Sequence, residues 1–350
     1  MKKTTVPRRL ALGALISAAS VVTMTAAASA TNTPTVNRLA GTNRYDTARV
    51  IATTDFGTSG ATIAVLASGI NYPDALAANY LAGRLHGPVL LTDPSSLSPE
   101  TLTALKAIKA TGVDIVGGTA AISANVATQL NNDGYQTNRL YGSNRYGTAQ
   151  AIDEVFPPSF VGDLAGNGAT AIVATGLGFA DGLSAGGMSY AAAFPLVLTD
   201  PQSLSPEAQN TLSTDKIAHV IIMGGTAAVS ANVANQIAAM NITTQRIAGA
   251  DRTDTAAQLA EQVEIPILGF TNTRAVLARG DDFADALAGG AHSGLYKAPI
   301  VLTEDPNTLG TYTTNWFKSH NTTMANIDVL GGTAAISNST AAAAQSAGSS

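Results

Sequence analysis

Short apolar runs alternate with amphipathic stretches along this chain of 350 residues. The runs "TIAVLAS", "PVLLT" and "VDIVGG" are mostly aliphatic, which is typical of strands buried on both faces of a parallel sheet. Between them lie predicted helices such as "SPETLTALKAI", with Ser98 as N-cap, Pro99 at the first helical position and Glu100 in the first turn. Strands alternating with helices predict βα units and a sheet covered on both sides.

This pattern occurs three times, with roughly 100 residues between copies, so each copy is a small domain rather than a solenoid turn. Four landmarks recur in the same order. In the first copy they are "RLAGTNRYDTA" at 38, "NYPDAL" at 71, "PVLLTD" at 88 and "GGTAAIS" at 117. The sequence therefore predicts an α/β protein of three tandem Rossmann-like modules with parallel sheets. The predicted ranges are 31–134, 135–241 and 242–340, followed by a flexible Ala/Ser/Gly-rich tail at 341–350.

Residues 1–30 read as a signal peptide, with four cations, an apolar run and an A-x-A cleavage site at 28–30. The general secretory route is favoured over twin-arginine export, because "PRRLALG" matches the twin-arginine pattern poorly. No later run is long and apolar enough to predict a membrane span. The protein is thus expected to be secreted.

Charge and composition narrow the function further. Removing residues 1–30 takes the formal net charge from −5 to −9, which argues against a general binder of nucleic acid. The chain contains no cysteine, so thiol catalysis and thiolate metal sites are excluded.

The sequence predicts no catalytic residues, no metal and no cofactor. "GLSAG" at 182–186 fits the letters of a nucleophile elbow, but Ser184 falls inside a predicted helix rather than at a strand–helix turn. Asp281, Asp282 and Asp285 suggest a metal cluster, yet the other copies keep only the last carboxylate. "GGTAAIS" follows a strand and precedes a helix, so it is either an anion cradle or, the preferred reading, a tight turn.

Paired arginines are the recurring polar feature, and a guanidinium grips carboxylates and phosphates with two hydrogen bonds. The candidate binding residues are Arg38, Arg44, Arg139, Arg145, Arg246 and Arg252. Each module also repeats one carboxylate, at Asp74, Asp181 and Asp285. One reading pairs one arginine of each copy with this aspartate inside the module, and leaves the other arginine to face outward and bind an anion.

With these motifs the sequence resembles the cell-wall-binding repeat type 2 family of Gram-positive surface proteins, over about residues 38–337. The resemblance implies Toprim-like modules packed as a pseudo-threefold trimer. It also implies attachment at the cell surface to an anionic cell-wall polysaccharide, such as a teichoic-acid-like glycan, through clefts where modules meet. We expect a stand-alone wall-binding protein, with other surface proteins as possible further partners.

The third copy departs from the pattern, because Thr253 replaces the tyrosine after the second arginine and "TLGTY" replaces "SLSPE". Its site is expected to be weaker or specialised. Three alternatives stay open: a structural surface-lattice protein, an accessory or modifier of a wall amidase, and a soluble binder of phosphorylated sugars at the "GGTAAIS" turns.

Overall fold

Twelve strands and thirteen α-helices build residues 32–350, which the computed structural model describes together with Met1. The predicted signal peptide, apart from Met1, lies outside the described residues. The strands are β1 (Thr35–Leu39), β2 (Ile63–Ser68), β3 (Val89–Thr92), β4 (Gly112–Val116), β5 (Gln136–Leu140), β6 (Thr170–Thr175), β7 (Leu196–Thr199), β8 (His219–Met223), β9 (Thr243–Ile247), β10 (Arg274–Arg279), β11 (Ile300–Thr303) and β12 (Asn326–Leu330).

The helices alternate with the strands, as the apolar pattern predicts. They are α1 (Arg44–Phe56), α2 (Ala78–Leu85), α3 (Pro99–Ala107), α4 (Ala124–Asn132), α5 (Arg145–Asp153), α6 (Ala180–Ser184), α7 (Gly186–Ala192), α8 (Pro206–Thr214), α9 (Ala231–Ala238), α10 (Arg252–Leu259), α11 (Ala284–Tyr296), α12 (Thr311–Ser319) and α13 (Asn338–Ala347). A π-helical turn, Ala260–Glu264, extends α10. In the part of the chain that the structure describes, no helix has the length and hydropathy needed to cross a bilayer.

The strands form three four-stranded parallel sheets of equal topology, which confirms the predicted fold class. Their orders are β3-β2-β4-β5 (sheet 1), β7-β6-β8-β9 (sheet 2) and β11-β10-β12-β1 (sheet 3). We call the parts built on them modules 1, 2 and 3. The inner strands are buried along nearly their whole length, because helices cover both faces of each sheet.

The fourth strand of each sheet comes from the double-arginine phrase that opens the next copy. β5 pairs with β4, β9 pairs with β8, and the N-terminal β1 pairs with β12, from Thr35 opposite Asn326 to Leu39 opposite Leu330. The predicted ranges 31–134, 135–241 and 242–340 therefore separate each sheet from its last strand. Because β1 completes sheet 3, the chain closes the three modules into a ring.

The predicted flexible tail is wrong. Residues 338–347 form α13, capped by the hydroxyl of Ser337, and Ala341, Ala344 and Ala347 are buried. Alanine is the strongest helix former, and this helix packs against β1, β12 and α12. The Ala-rich composition does not indicate fraying here, because the alanines supply a small apolar helix face.

One hydrophobic core joins the three modules at the centre of the ring. Helices α2, α7 and α11 pack against each other there. Small residues permit the close approach: a side chain at Gly290 would collide with Asn79, and one at Gly83 or Gly294 would collide with Tyr190. The predicted pseudo-threefold arrangement follows from this shared core.

A buried ionic cluster occupies the junction between modules 3 and 1. His292 on α11 lies with Nδ1 2.9 Å from Oδ1 of Asp55 on α1 and with Nε2 3.1 Å from Oδ2 of Asp328 on β12. The three side chains are at most 5% exposed. Asn37 on β1 and Arg274 on β10 also contact the Asp328 carboxylate. This cluster fastens the N-terminal strand and α1 to module 3.

Candidate functional site

The first arginine of each pair is a structural residue. Near the end of β1, β5 and β9, its Nη1 donates a 2.8 Å hydrogen bond to the carbonyl of the first glycine in the "GGTAA" turn. The pairs are Arg38 with Gly331, Arg139 with Gly117 and Arg246 with Gly224. Burial lowers the pKa of all three guanidinium groups. Each arginine thus locks a strand to the turn of its own sheet.

The second arginine of each pair opens a helix of the next module. Asn43, Asn144 and Asp251 cap α1, α5 and α10 with their side chains. The arginine at the first helical position donates through Nη1 to the glycine carbonyl that ends the first strand of that module. These pairs are Arg44 with Gly69 at 2.7 Å, Arg145 with Gly176 at 2.5 Å and Arg252 with Gly280 at 2.9 Å. The rest of each guanidinium lines a cleft.

The predicted Arg–Asp locks are not formed. Asp74, Asp181 and Asp285 lie against the same first glycine that the first arginine binds, yet none is within 4 Å of an arginine among the described ion pairs. The guanidinium of the first arginine donates to a glycine carbonyl instead, because the strand–helix turn places this carbonyl closer to it than the aspartate carboxylate. Burial, and then the nearby Asp282, raise the pKa of Asp285 to about 6. Burial also raises the pKa of Asp181.

Three related clefts lie where modules meet. Each combines a second arginine from one module with the repeated aspartate and "GGTAA" turn of its neighbour. Cleft 1/2 contains Arg145 and Asp74 and measures about 360 Å³; cleft 2/3 contains Arg252 and Asp181 and measures about 470 Å³. Cleft 3/1 contains Arg44 and Asp285 and measures about 200 Å³. The second arginines and the repeated aspartates therefore converge, but across module junctions rather than within a copy, whereas the first arginines do not line the clefts.

A cluster of three aromatic rings, which the sequence pattern did not predict, contributes two of its members to the lining of cleft 2/3. Tyr72, Phe179 and Phe283 occupy one position of the second landmark in each copy. Their ring centroids are 5.3 to 6.0 Å apart with tilted or edge-on geometry. A sequence signal for this cluster exists, because each copy carries an aromatic residue two positions before its repeated aspartate.

Cleft 3/1 differs from the others in its charges. Arg44 Nη2 lies 3.3 Å from Asp282 Oδ2, and Arg279 meets Asp281 through Nε at 2.5 Å and Nη2 at 2.9 Å. The residues at the position of Asp282 are Asn71 in cleft 1/2 and Gly178 in cleft 2/3.

The remaining candidates for chemistry do not form a reactive site. Ser184 is buried in α6, and its hydroxyl contacts the carbonyl of Asp181 at 3.3 Å. Among residues 32–350, no three histidine, aspartate or glutamate side chains are placed to hold a metal ion.

The comparison with known families agrees with this threefold arrangement. The family model described as Cell wall binding domain 2 (CWB2) matches residues 38–127, 139–234 and 246–341. The chain belongs to this cell wall binding family. Each match begins at the first arginine of a copy, so the family unit corresponds to the repeat read from the sequence.

Relatives and solved structures extend this assignment. The chain is 31% identical over 304 residues to the N-acetylmuramoyl-L-alanine amidase LytC of Bacillus subtilis, covering 86% of this chain and 56% of that protein. It is 28% identical over 271 residues to an amidase enhancer of the same bacterium, covering 77% of this chain and 35% of the enhancer. The chain thus spans about a third to just over half of these relatives.

Two solved structures share the fold. Cwp6 and Cwp8 from Clostridium difficile both superpose with a TM-score of 0.77, at 22% and 23% identity. Each match covers 89% of this chain, and 48% and 51% of the respective structure. The family arrangement of three parallel-sheet modules is therefore present in this chain.

Proposed function

We propose that this protein is secreted and binds non-covalently to an anionic secondary polymer of the Gram-positive cell wall. The observation that carries the proposal is the repetition of one cleft at three module junctions, each with a guanidinium at its wall. A wall polymer repeats its charge along its length, so a rigid body with several modest sites gains affinity through effective concentration.

The geometry of the clefts suits an anion. In clefts 1/2 and 2/3 the second arginine, Arg145 or Arg252, uses Nη1 on a glycine carbonyl and keeps its other N–H groups for a ligand. It stands at the first turn of a helix, where the backbone dipole also favours negative charge. Although its formal charge is −9 after loss of residues 1–30, the protein can thus bind a polyanion locally, because each cleft presents at least one arginine.

The experiment compares cell-wall sacculi before and after chemical removal of the secondary polymer. We expect the protein to sediment with intact sacculi, to stay in solution with stripped ones, and to bind less in high salt. The double variant Arg145→Gln/Arg252→Gln should lose most of the binding. Lys106→Gln removes an exposed cation outside the clefts and serves as the control. Equal binding to stripped sacculi would contradict the proposal, since the ligand would then be peptidoglycan.

A second candidate function is assistance to a wall amidase, which the similarity to an amidase enhancer favours. Binding to the polymer would then place the protein beside an amidase at its substrate. This is measured by adding the protein to a purified wall amidase and following the release of wall material. A rate that does not change with added protein would argue against it.

A further inference from the structure

We infer that the three clefts are not equivalent: clefts 1/2 and 2/3 receive the anionic polymer, whereas cleft 3/1 is occupied by the protein's own carboxylates. This inference rests on the proposed function. It also reverses the expectation that the third copy carries the weak site, because the arginine that is already paired with a carboxylate, Arg44, belongs to the first copy.

The arginine of cleft 3/1 already has an anionic partner. Arg44 contacts Asp282 at 3.3 Å, and the guanidinium lies 5.7 Å from the centre of the Phe283 ring. Both charged side chains are about one-third exposed. A phosphate or carboxylate of the polymer would have to displace Asp282 before it could bind Arg44.

The local charge also opposes an incoming anion. Cleft 3/1 gathers Asp281, Asp282 and Asp285 around Arg44 and Arg279. The positions of Arg279 and Asp281 are held by uncharged residues in the other modules, Ser68 and Ile70 in module 1 and Thr175 and Leu177 in module 2. A cleft of about 200 Å³ is, in addition, the smallest of the three.

The other two arginines are differently placed. Within residues 32–350, no carboxylate lies within 4 Å of Arg145 or Arg252. Three carboxylates, those of Asp181, Asp251 and Asp281, interact with Arg252 electrostatically but form no ion pair with it. Asp251 instead accepts hydrogen bonds from backbone amides and the Thr253 hydroxyl. These two guanidinium groups can take a polymer anion without first breaking an ion pair.

The division has a structural reason. Asp282 belongs to module 3 and Arg44 to module 1, so their ion pair crosses the one junction where the N-terminal strand must dock. Arg44, whose equivalents would bind a ligand at the 1/2 and 2/3 junctions, instead helps to hold module 1 against module 3.

The test measures the dissociation constant for sacculi that retain their secondary polymer, by sedimentation at low salt. Arg145→Gln and Arg252→Gln should each weaken binding by about tenfold, since each removes a charge-assisted contact. Arg44→Gln should change it by less than about twofold. Asp282→Asn copies Asn71 of cleft 1/2 and should tighten binding by about threefold, because it releases Arg44.

The outcomes separate this inference from the proposed function. Equal losses for all three arginine variants, or weaker binding by Asp282→Asn, would overturn the division while leaving polymer binding intact. No binding by the unmodified protein, or no effect of any arginine variant, would overturn both. Thermal unfolding of each variant shows whether it folds, and Asp282→Asn keeps the test decisive if Arg44→Gln does not.

Discussion

The junction between modules 3 and 1 has a charged centre, whereas the positions of its Asp55 and His292 are apolar at the other two junctions. At the 3/1 junction, Asp55 on α1 meets His292 on α11. The corresponding pairs are Leu81 with Phe156 at the 1/2 junction and Met188 with Val263 at the 2/3 junction, all within one hydrophobic core. Three copies of one unit are thus joined in two different ways.

This difference follows from how the chain is connected. Strands β5 and β9 are covalently continuous with the sheets that they complete, through α4 and α9. Strand β1 instead reaches sheet 3 from the other end of the chain, and non-covalent contacts alone hold it there. Buried polar contacts can specify which partners meet. We therefore expect the ionic cluster to direct β1 to sheet 3, because sheets 1 and 2 offer no histidine at that position.

The largest expected effect comes from removing the histidine alone. His292→Leu introduces the side chain found at Leu81 and leaves the buried Asp55 without its partner. Loss of one member of a buried ionic pair costs about 3–5 kcal/mol. The free energy of unfolding in urea at pH 7 measures this. Met188→Leu is the control and should cost less than about 1.5 kcal/mol; similar losses for both variants would mean that the charges do not distinguish the junctions.

Alkaline pH should weaken the same junction. Burial disfavours the charged ring, but hydrogen bonds to Asp328 and Asp55 outweigh it and raise the pKa of His292 to about 9. Since this pKa lies above the unfolded value, the stabilisation is complete below about pH 6.5 and is lost as the pH rises through about 9. The loss amounts to about 3 kcal/mol. The stability of the double variant Asp55→Phe/His292→Leu should not fall in this way as the pH rises. An equal fall in the double variant would contradict the assignment of this pH dependence to His292.

A smaller effect is expected at the carboxylate of cleft 3/1. The pKa of Asp285 is raised to about 6 by burial and by Asp282. Ionisation of this group above that pH therefore destabilises the folded state. Asp285→Asn should raise the free energy of unfolding at pH 8 by about 1–2 kcal/mol, and the gain should vanish near pH 4. If Asp285→Asn is instead less stable than the unmodified protein at pH 8, the hydrogen bonds of the Asp285 carboxylate stabilise the fold more than its buried charge destabilises it.

The smallest effect separates the two arginines of one phrase. Arg246→Gln removes the bond to Gly224 and should lower stability by about 1 kcal/mol without changing polymer binding. Arg252→Gln, six residues later, removes the comparable bond to Gly280 and should lower stability by no more than Arg246→Gln does, but it should in addition weaken binding. Thermal unfolding and sedimentation with sacculi, run on both variants, give the comparison. Weaker binding by Arg246→Gln in a fully folded protein would assign it to the site as well.

Much of the fold could be read from local signals. Buried parallel strands show as β-branched apolar runs, and the repeat gives the number of modules. The sheets that β1, β5 and β9 join could not be predicted, because nothing in their sequences, "TVNRL", "QTNRL" and "TTQRI", specifies a partner strand. For β1 the answer lies at Asn326–Leu330, almost 300 residues away. The helix at the tail could not be predicted for a similar reason, because the burial of Ala344 depends on contacts with residues of distant strands.

The sequence singled out the repeated arginines and aspartates but did not show which of them share a cleft. Their role in binding stays a prediction. Which arginine of a pair is structural depends on the glycine carbonyl that its strand places beside it, as at Arg139 and Gly117. The special character of cleft 3/1 depends on Asp282, a carboxylate that occurs in one copy and therefore carries no repeat signal.

The most direct test of the account is amide hydrogen exchange with and without soluble polymer released from the wall. Bound polymer should slow exchange at 118–121 and 142–145 in cleft 1/2, and at 225–228 and 249–252 in cleft 2/3. Exchange at 41–44 and 332–335 in cleft 3/1 should stay unchanged. Equal protection of all three clefts, or protection confined to cleft 3/1, would contradict the distinction between a closing junction and two binding junctions.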